Sequence, residues 1–291
     1  MRPDSASGTL RDVLTLDARL IGDAERAAVE RVLDRAPIAG AQVAEQVSAH
    51  GLEWWRADAR VFGYGGRRQL ESICWLGANV VPVAASPAAI AAFAELAALN
   101  VRQCSSFVGP SGAVLDLWSR LEIPWGPARE IRACQPLLAT HTQPAVQPDP
   151  AVRLVRPDEL GLLFPASVAM YTEEVGASPL DDQGGARYRQ RVADLINTRR
   201  AYARFIDGQV VFKADLAVVT RHTAQVQGVW VHPEYRGKGL AIAGMAAVVR
   251  DALRRVAPTV SLYVNDYNTP ARRVYARCGF AQVDTFATVL F

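Results

Sequence analysis

Arg236-Gly-Lys-Gly-Leu-Ala241 stands between an apolar run and a long amphipathic stretch, and its reading decides the fold. Before it, Val226-Gln-Gly-Val-Trp-Val231 reads as a strand, and His232-Pro-Glu-Tyr235 turns the chain. From Leu240 onward apolar residues recur at helical spacing, at Ile242, Met245, Ala246, Val249 and Leu253. A basic, glycine-rich loop that opens a helix is a polyphosphate cradle. Gly237 and Gly239 carry no Cβ, so a phosphate can approach the backbone N–H groups closely. The first helical turn leaves those donors without internal partners, and the helix dipole favours negative charge there. Arg236 and Lys238 would add charge-assisted contacts. The segment is no Walker A loop, because no Lys-Ser or Lys-Thr follows a four-residue gap, and it lacks the three-glycine Rossmann spacing. Taken alone, a solvated turn that merely starts a helix would account for it equally well.

A second constellation breaks that tie. Val260-Ser-Leu-Tyr-Val-Asn265 alternates like a strand, and Asn268-Thr-Pro-Ala-Arg-Arg-Val-Tyr275 and Cys278-Gly-Phe280 follow. Asn268 is a good N-cap, Pro270 is tolerated in a first helical turn, and Gly279 suits a helix stop. Asn268, Ala271 and Tyr275 share one face of that helix, so a polar cap, a small residue and a phenol can flank an extended ligand arm. An isolated Tyr is more often a packed core residue. The order strand, phosphate loop, helix, strand, Asn–Tyr helix and Gly-Phe favours the functional reading.

Together, over roughly residues 150 to 291, these motifs resemble the GNAT superfamily of acyl-CoA-dependent N-acyltransferases. The family's phosphate loop, Arg/Gln-x-x-Gly-x-Gly/Ala, is filled by Arg236, Gly239 and Ala241, with Gly237, Lys238 and Leu240 completing the cradle. The later motif is filled by Asn268, Ala271, Tyr275, Gly279 and Phe280. The resemblance implies acetyl-CoA as acyl-donor substrate, no metal, and a strand before the loop that splays from the next one. In that gap the pantetheine arm would pair with the backbone of Val229, Trp230 and Val231. The loop would grip the pyrophosphate, and Tyr275 would protonate the departing thiolate.

Acyl transfer from a thioester to an amine needs a neutral nucleophile, a polarised carbonyl and a proton for the leaving sulfur. A backbone N–H near Val229 supplies the polarisation and a positioned phenol the proton, a general acid being worth on the order of 10²–10⁴ in rate. The amine-side base is less legible. Many family members carry a Glu on the strand before the loop, where this chain has Gln225 and Gln227. Substitutes are Glu173, Glu174 and Asp215, and the first two rank ahead because acceptor-binding residues of the family lie near Met170-Tyr-Thr-Glu-Glu-Val-Gly176. The departure at Gln225 and Gln227 keeps a rival in play, a non-catalytic acyl-CoA-binding module that regulates another protein.

Composition agrees. A chain of 291 residues, half of them apolar, holds two cores, and no apolar tract of about 18 residues suggests a membrane span. The start, Met1-Arg-Pro-Asp-Ser5, lacks a signal-peptide pattern. Cys74, Cys104, Cys134 and Cys278 are far apart, which argues for reduced, mostly buried thiols in a cytoplasmic protein and against structural zinc. Lys213 and Lys238 are the only lysines, the arginines are scattered, and a net charge of +3 is small, so nucleic-acid binding is not expected.

Thr140-His-Thr-Gln-Pro-Ala-Val-Gln-Pro-Asp-Pro150 has linker composition and divides the chain into residues 1–146 and 147–291. In the second part the expected order is strand 152–156, helix 158–175 interrupted at Pro165, helix 186–197, hairpin 201–206 and 209–219 around Asp207-Gly208, the motifs above, and two closing strands. The first part repeats this order: a short strand at Val13 to Leu16, helices 24–35 and 42–49, and strands 59–64, 70–76 and 80–84. Helix 87–99, strand 102–108, helix 111–121 and strand 129–133 follow. Where the phosphate loop should be stands Ala85-Ser-Pro-Ala88, with no basic residue and no glycine pair. The expectation is a mixed α+β chain of tandem GNAT-like folds. Each would be a mostly antiparallel sheet flanked by helices, and the first would be a degenerate copy that shapes the acceptor groove or the subunit contact of a homodimer. Gly63-Tyr-Gly-Gly-Arg-Arg68 reads as a hairpin turn. Trp54, Trp55, Trp75, Trp118 and Trp125 read as core or interdomain packing.

Overall fold

The computed structural model describes residues 18–66, 69–180 and 185–291. The expected strand at Val13 to Leu16 and the residues Arg67 and Arg68 of the expected hairpin turn lie outside them.

The first half runs β1 (Ala18–Ile21), α1 (Arg26–Arg35), α2 (Ala41–His50), α3 (Trp54–Ala57), β2 (Arg60–Gly65), β3 (Leu70–Leu76), β4 (Asn79–Val83), α4 (Pro87–Ala98), β5 (Ser106–Pro110), α5 (Ser111–Trp125) and β6 (Glu130–Thr140). The second runs β7 (Arg153–Leu154), α6 (Leu160–Val175), α7 (Ala186–Asn197), β8 (Ala201–Ile206), β9 (Gln209–Val219), β10 (Ala224–Val231), α8 (Leu240–Arg255), β11 (Val260–Tyr263), α9 (Thr269–Arg277) and β12 (Ala281–Leu290). The two successions match element for element from α4 and α8 onward, as the sequence order implied.

Among the described residues all strands join one 12-stranded sheet in the order β1-β2-β3-β4-β5-β12-β6-β11-β10-β9-β8-β7. Read from either edge, the order gives the first five strands of one half and then the sixth strand of the other. The halves thus exchange their last strands at the centre. β12 pairs antiparallel with β5, from Phe286 opposite Pro110 to Leu290 opposite Ser106, and with β6 along its whole length. β6 in turn pairs with β11, from Val260 opposite Thr140 to Tyr263 opposite Leu137. Two closing strands were expected after the Asn–Tyr helix. Only β12 follows it, and the second place is taken by β6, which runs on to Thr140 instead of stopping near Ala133. The apolar run Leu137-Leu138-Ala139 is buried at this position.

Among the described residues every pairing is antiparallel except two, β4 with β5 and β10 with β11. Each parallel pair holds only two residues in register, Asn79 and Val80 with Ser106 and Phe107, and Ala224 and Gln225 with Val260 and Ser261. Beyond those residues neither ladder continues. In the first half a Cβ on Gly109 would sit 3.5 Å from the Pro82 carbonyl oxygen, so the backbones stay close. Ser86 also caps α4 by accepting from Ala89 N–H at 3.2 Å, which fills a donor that a phosphate would need.

Helix α8 lies on one face of the second-half sheet and buries Met245, Ala246, Val248, Val249 and Ala252 against Phe212, Leu216, Val226 and Leu262. Burying an aliphatic side chain of this size stabilises by about 1.5–3 kcal/mol, so Val249→Asp would detach the helix. Gly244 allows the close approach, since a Cβ there would meet the Phe212 ring at 2.7 Å. Helices α6 and α7 cover the opposite face, with Leu163, Ala166, Val192 and Ile196 on Ala201, Ala203, Val210 and Trp230. Pro165 lies inside α6 without ending it, two residues into its second turn. Trp75, Trp118 and Trp125 are buried as expected, whereas Trp54 and Trp55 are 58% and 61% exposed on the four-residue α3. That helix is too short to turn both rings inward.

Candidate functional site

The gap between β10 and β11 is shaped by a bulge. β10 pairs with β9 up to Gln227 opposite Asp215 and resumes at Trp230 opposite Lys213. Gly228 and Val229 therefore have no ladder partner on β9, and from Val226 onward β10 has none on β11. Gly228 takes φ of +61, which lets the strand bulge. The backbone of Val229, Trp230 and Val231 thus faces the gap along the length that sequence reasoning reserved for a pantetheine arm.

At the mouth of the gap the chain turns through Pro233–Tyr235 into the glycine loop. Gly237 and Gly239 have φ of +75 and +80, and a Cβ on either would meet nothing within 4 Å. Gly239 is the N-cap of α8 and offers no side chain to the first turn. Among the described residues none of the N–H groups from Gly237 to Ala241 has an acceptor in the protein. They converge with the positive end of a 16-residue helix on open space, the arrangement an anion needs. Lys238 Nζ lies 5.2 Å from the Tyr235 ring centroid. Arg236 is already engaged, its Nε donating to the Val231 carbonyl at 3.0 Å and its Nη2 to Glu173 at 2.7 Å.

Tyr275 is buried on α9 and edge-on to Phe280, with ring centroids 5.9 Å apart. Its hydroxyl has no partner among the described residues but is not sealed from solvent. Burial pushes the phenol well above its ordinary range, and the charge of Glu174 adds to the shift. It therefore remains a proton donor at neutral pH. Asn268 caps α9, its side chain accepting from Ala271 N–H at 3.2 Å, and Gly279 ends the helix at φ +87.

The two candidate carboxylates part company. Glu173 accepts from Trp230 Nε1 at 3.0 Å and from Arg236, so it braces β10 against the loop. Among the described residues the Glu174 carboxyl has no such partner. The residue is exposed, while desolvation of its carboxyl raises the pKa against the opposing charges of Arg132 and Lys213. Sequence reasoning missed Arg132, whose Nη2 donates to the Glu174 carbonyl at 2.8 Å and which is ion-paired to Glu130. It comes from β6 of the first half. The length of the Glu130–Thr140 run was its only signal. Missed too was the buried network in which Gln135 accepts from Thr288 at 2.6 Å and donates to Asn265 at 2.8 Å, pinning the end of β11.

Among the described residues no group of three His, Cys, Asp or Glu is placed to hold a metal, and no helix is long and apolar enough to cross a membrane. Cys74, Cys104 and Cys278 are buried, Cys134 is exposed, and all four are free thiols. Two recesses of about 320 and 300 Å³ lie elsewhere, one beside Asp23 and His50 and one between Asp34 and Arg221, and neither touches this gap.

Comparison with known proteins agrees with this architecture. Residues 167–280 match the model of the Acetyltransferase (GNAT) family, and residues 59–163 match Domain of unknown function (DUF4081). The chain thus carries a GNAT acetyltransferase domain preceded by a DUF4081 domain. Over 79 residues it is 33% identical to streptothricin acetyltransferase from Escherichia coli, covering 27% of this chain and 45% of that protein. The chain thus spans under half the length of this curated relative. Three solved structures share the fold. A GNAT-family acetyltransferase from Colwellia psychrerythraea gives a TM-score of 0.54 at 13% identity over 94% of this chain and 99% of that one. A Drosophila protein gives 0.66 at 12% identity, over 94% and 98%. A GCN5-related N-acetyltransferase from Sphaerobacter thermophilus gives 0.51 at 17%, over 94% of each chain.

Proposed function

We propose that the protein is an N-acetyltransferase that moves an acetyl group directly from acetyl-CoA to an amine, with one working site in residues 147–291 and a degenerate GNAT-like unit in residues 1–146. The observation that carries this is the pairing of a bulged β10, open toward β11 from Val226 onward, with the uncapped N-terminus of α8 at the mouth of the same gap. The diphosphate of the donor rests on the N–H groups from Gly237 to Ala241, with Lys238 beside them. The arm follows Val229 to Val231, and Asn268 and Tyr275 flank it. The amine nitrogen attacks the thioester carbon while the Val229 N–H holds the carbonyl oxygen. Glu174 takes the proton from the amine, directly or through a water. As the C–S bond breaks, the Tyr275 hydroxyl gives its proton to the sulfur. Desolvation raises the Glu174 carboxyl in the direction a general base needs, and burial keeps the Tyr275 phenol protonated until the sulfur departs. The relative named as a streptothricin acetyltransferase makes streptothricin the first acceptor to include among the amines tested. We place the protein in the cytoplasm.

The rival reading, an acyl-CoA-binding regulatory module, draws on Gln225 and Gln227, which hydrogen-bond each other at 3.3 Å on the strand where the family resemblance leads one to expect a Glu. Calorimetry of the full chain with acetyl-CoA, followed by thiol release over a panel of amines, separates the two. Binding with thiol release supports the enzyme, binding without it for any amine supports the module, and no binding removes both.

A further inference from the structure

Beneath the bulge of β10 lies a charge pair that the reaction above does not use. Lys213 on β9 has no solvent exposure, and its Nζ donates to Asp215 Oδ2 at 2.5 Å and to the Gly228 carbonyl oxygen at 3.1 Å. Asp215 is 7% exposed, and its Oδ1 is sealed without a partner among the described residues. A well-packed apolar pair at such a place is often as stable or more so, so the ions call for another reason. The atom that the ammonium holds supplies it. Gly228 and Val229 are the two bulge residues without partners on β9, and the peptide between them is trans. In one planar trans unit the C=O and the N–H point in opposite directions. Fixing the Gly228 oxygen on Lys213, on the β9 side, aims the Val229 N–H away from β9 and into the gap. There is no slack in this arrangement: a Cβ on Gly228 would lie 3.0 Å from Asp215 Oδ2 and from Met170 Cε, and 3.1 Å from Lys213 Nζ.

The geometry points to Lys213, held by Asp215, as the positioning residue for the N–H that polarises the thioester carbonyl. Without that anchor the bulge peptide can rotate, and the donor leaves the place where the oxyanion develops. The inference rests on the acetyl-CoA reading of this site. The test uses the full chain and acetyl-CoA labelled with ¹³C at the carbonyl, without an acceptor amine so that the complex persists. Infrared difference spectra read the carbonyl stretch, which a bound donor lowers from its value in free acetyl-CoA. The double variant Lys213→Met with Asp215→Leu removes both charges together and leaves no buried ion unpaired. It is expected to bind acetyl-CoA nearly as tightly, through the glycine loop, while the stretch returns most of the way to the free value. Turnover should fall about 10²-fold, the cost of a misplacement of about 1 Å. Gly228→Ala attacks the same link from the backbone and should move the band in the same direction if the double variant does not fold. A folded variant whose carbonyl band and turnover match the parent overturns the inference, as does a parent complex with no lowered band. Failure of the parent chain to bind acetyl-CoA is a separate result and overturns the underlying reading as well.

Discussion

Gly239 offers the sharpest test of the anion site, because two substitutions there differ in charge alone at their core. The residue sits at φ +80 with open space before it, so a side chain meets no steric obstacle and only the backbone resists. Holding a residue other than glycine in this region costs about 1–2 kcal/mol, and Gly239→Ala should lower stability by that amount. For a chain this long the melting temperature would drop by about 2–4 °C per kcal/mol. Gly239→Asp carries a backbone cost no larger than this, since Asp tolerates the left-handed region better than Ala, and adds a carboxylate facing the diphosphate. At about 5 Å, with an effective dielectric constant between about 20 and 80, each opposed charge costs about 1–3 kcal/mol. Acetyl-CoA should therefore bind about 5- to 150-fold more weakly to Gly239→Asp than to Gly239→Ala. Thermal denaturation checks the first quantity and titration calorimetry the second, and added salt should narrow the gap between the two variants. Equal affinities in the two variants would show that no phosphate lies against this turn.

Other consequences are as direct. Tyr275→Phe should lower kcat by about 10²-fold or more while acetyl-CoA affinity stays nearly constant, since the ring packing against Phe280 survives; a changed KM alone would contradict the acid role. The rate should rise with pH through the raised pKa of Glu174, and in Glu174→Gln that limb should vanish from the pH–rate profile together with most of the activity. Glu159 is held at about 2, first by its hydrogen-bonded pairing with Arg153 and then by the Arg156 N–H. Its pKa is lowered on folding, so its contribution is complete above the unfolded carboxyl range and is lost as pH falls toward about 2. After allowance for the half-exposed Arg153, Glu159→Gln should cost about 1–2 kcal/mol at pH 7 and nothing below pH 2, measurable by urea denaturation at several pH values. Residues 147–291 expressed alone should fail to fold, since both strand neighbours of β12 come from the first half, and co-expression with residues 1–146 should restore a soluble complex.

The sequence made legible what depends on neighbours along the chain. The cap at Asn268, the stop at Gly279, the turn at Asp207-Gly208 with both residues at positive φ, and the bare loop at Gly237 and Gly239 are all local choices of backbone geometry. Helix 186–197 and strands 201–206, 209–219 and 70–76 fall where periodicity places them. What escaped depends on distant pairing. Nothing in Glu130-Ile-Arg-Ala-Cys-Gln135 says that its neighbours will be β12 and β11, so Arg132 could not be set beside Glu174 from composition or spacing. The bulge at Gly228 and the burial of Lys213 were hidden for the same reason, because a lysine in an alternating run reads as a solvent-facing position until the register of β9 and β10 is known. Trp54 and Trp55 show the reverse error, where size and apolarity suggested burial and a one-turn helix left both rings outside.

The exchange of β6 and β12 also sets an order of assembly. A ribosome delivers β12 after the other eleven strands, yet its place is in the middle of the sheet, between β5 and β6. Until it arrives, β5 and β6 wait with open edges, and neither half can finish ahead of the other. The open edges of β5 and β6 therefore persist while the whole second half is made, which exposes them to pairing with other chains.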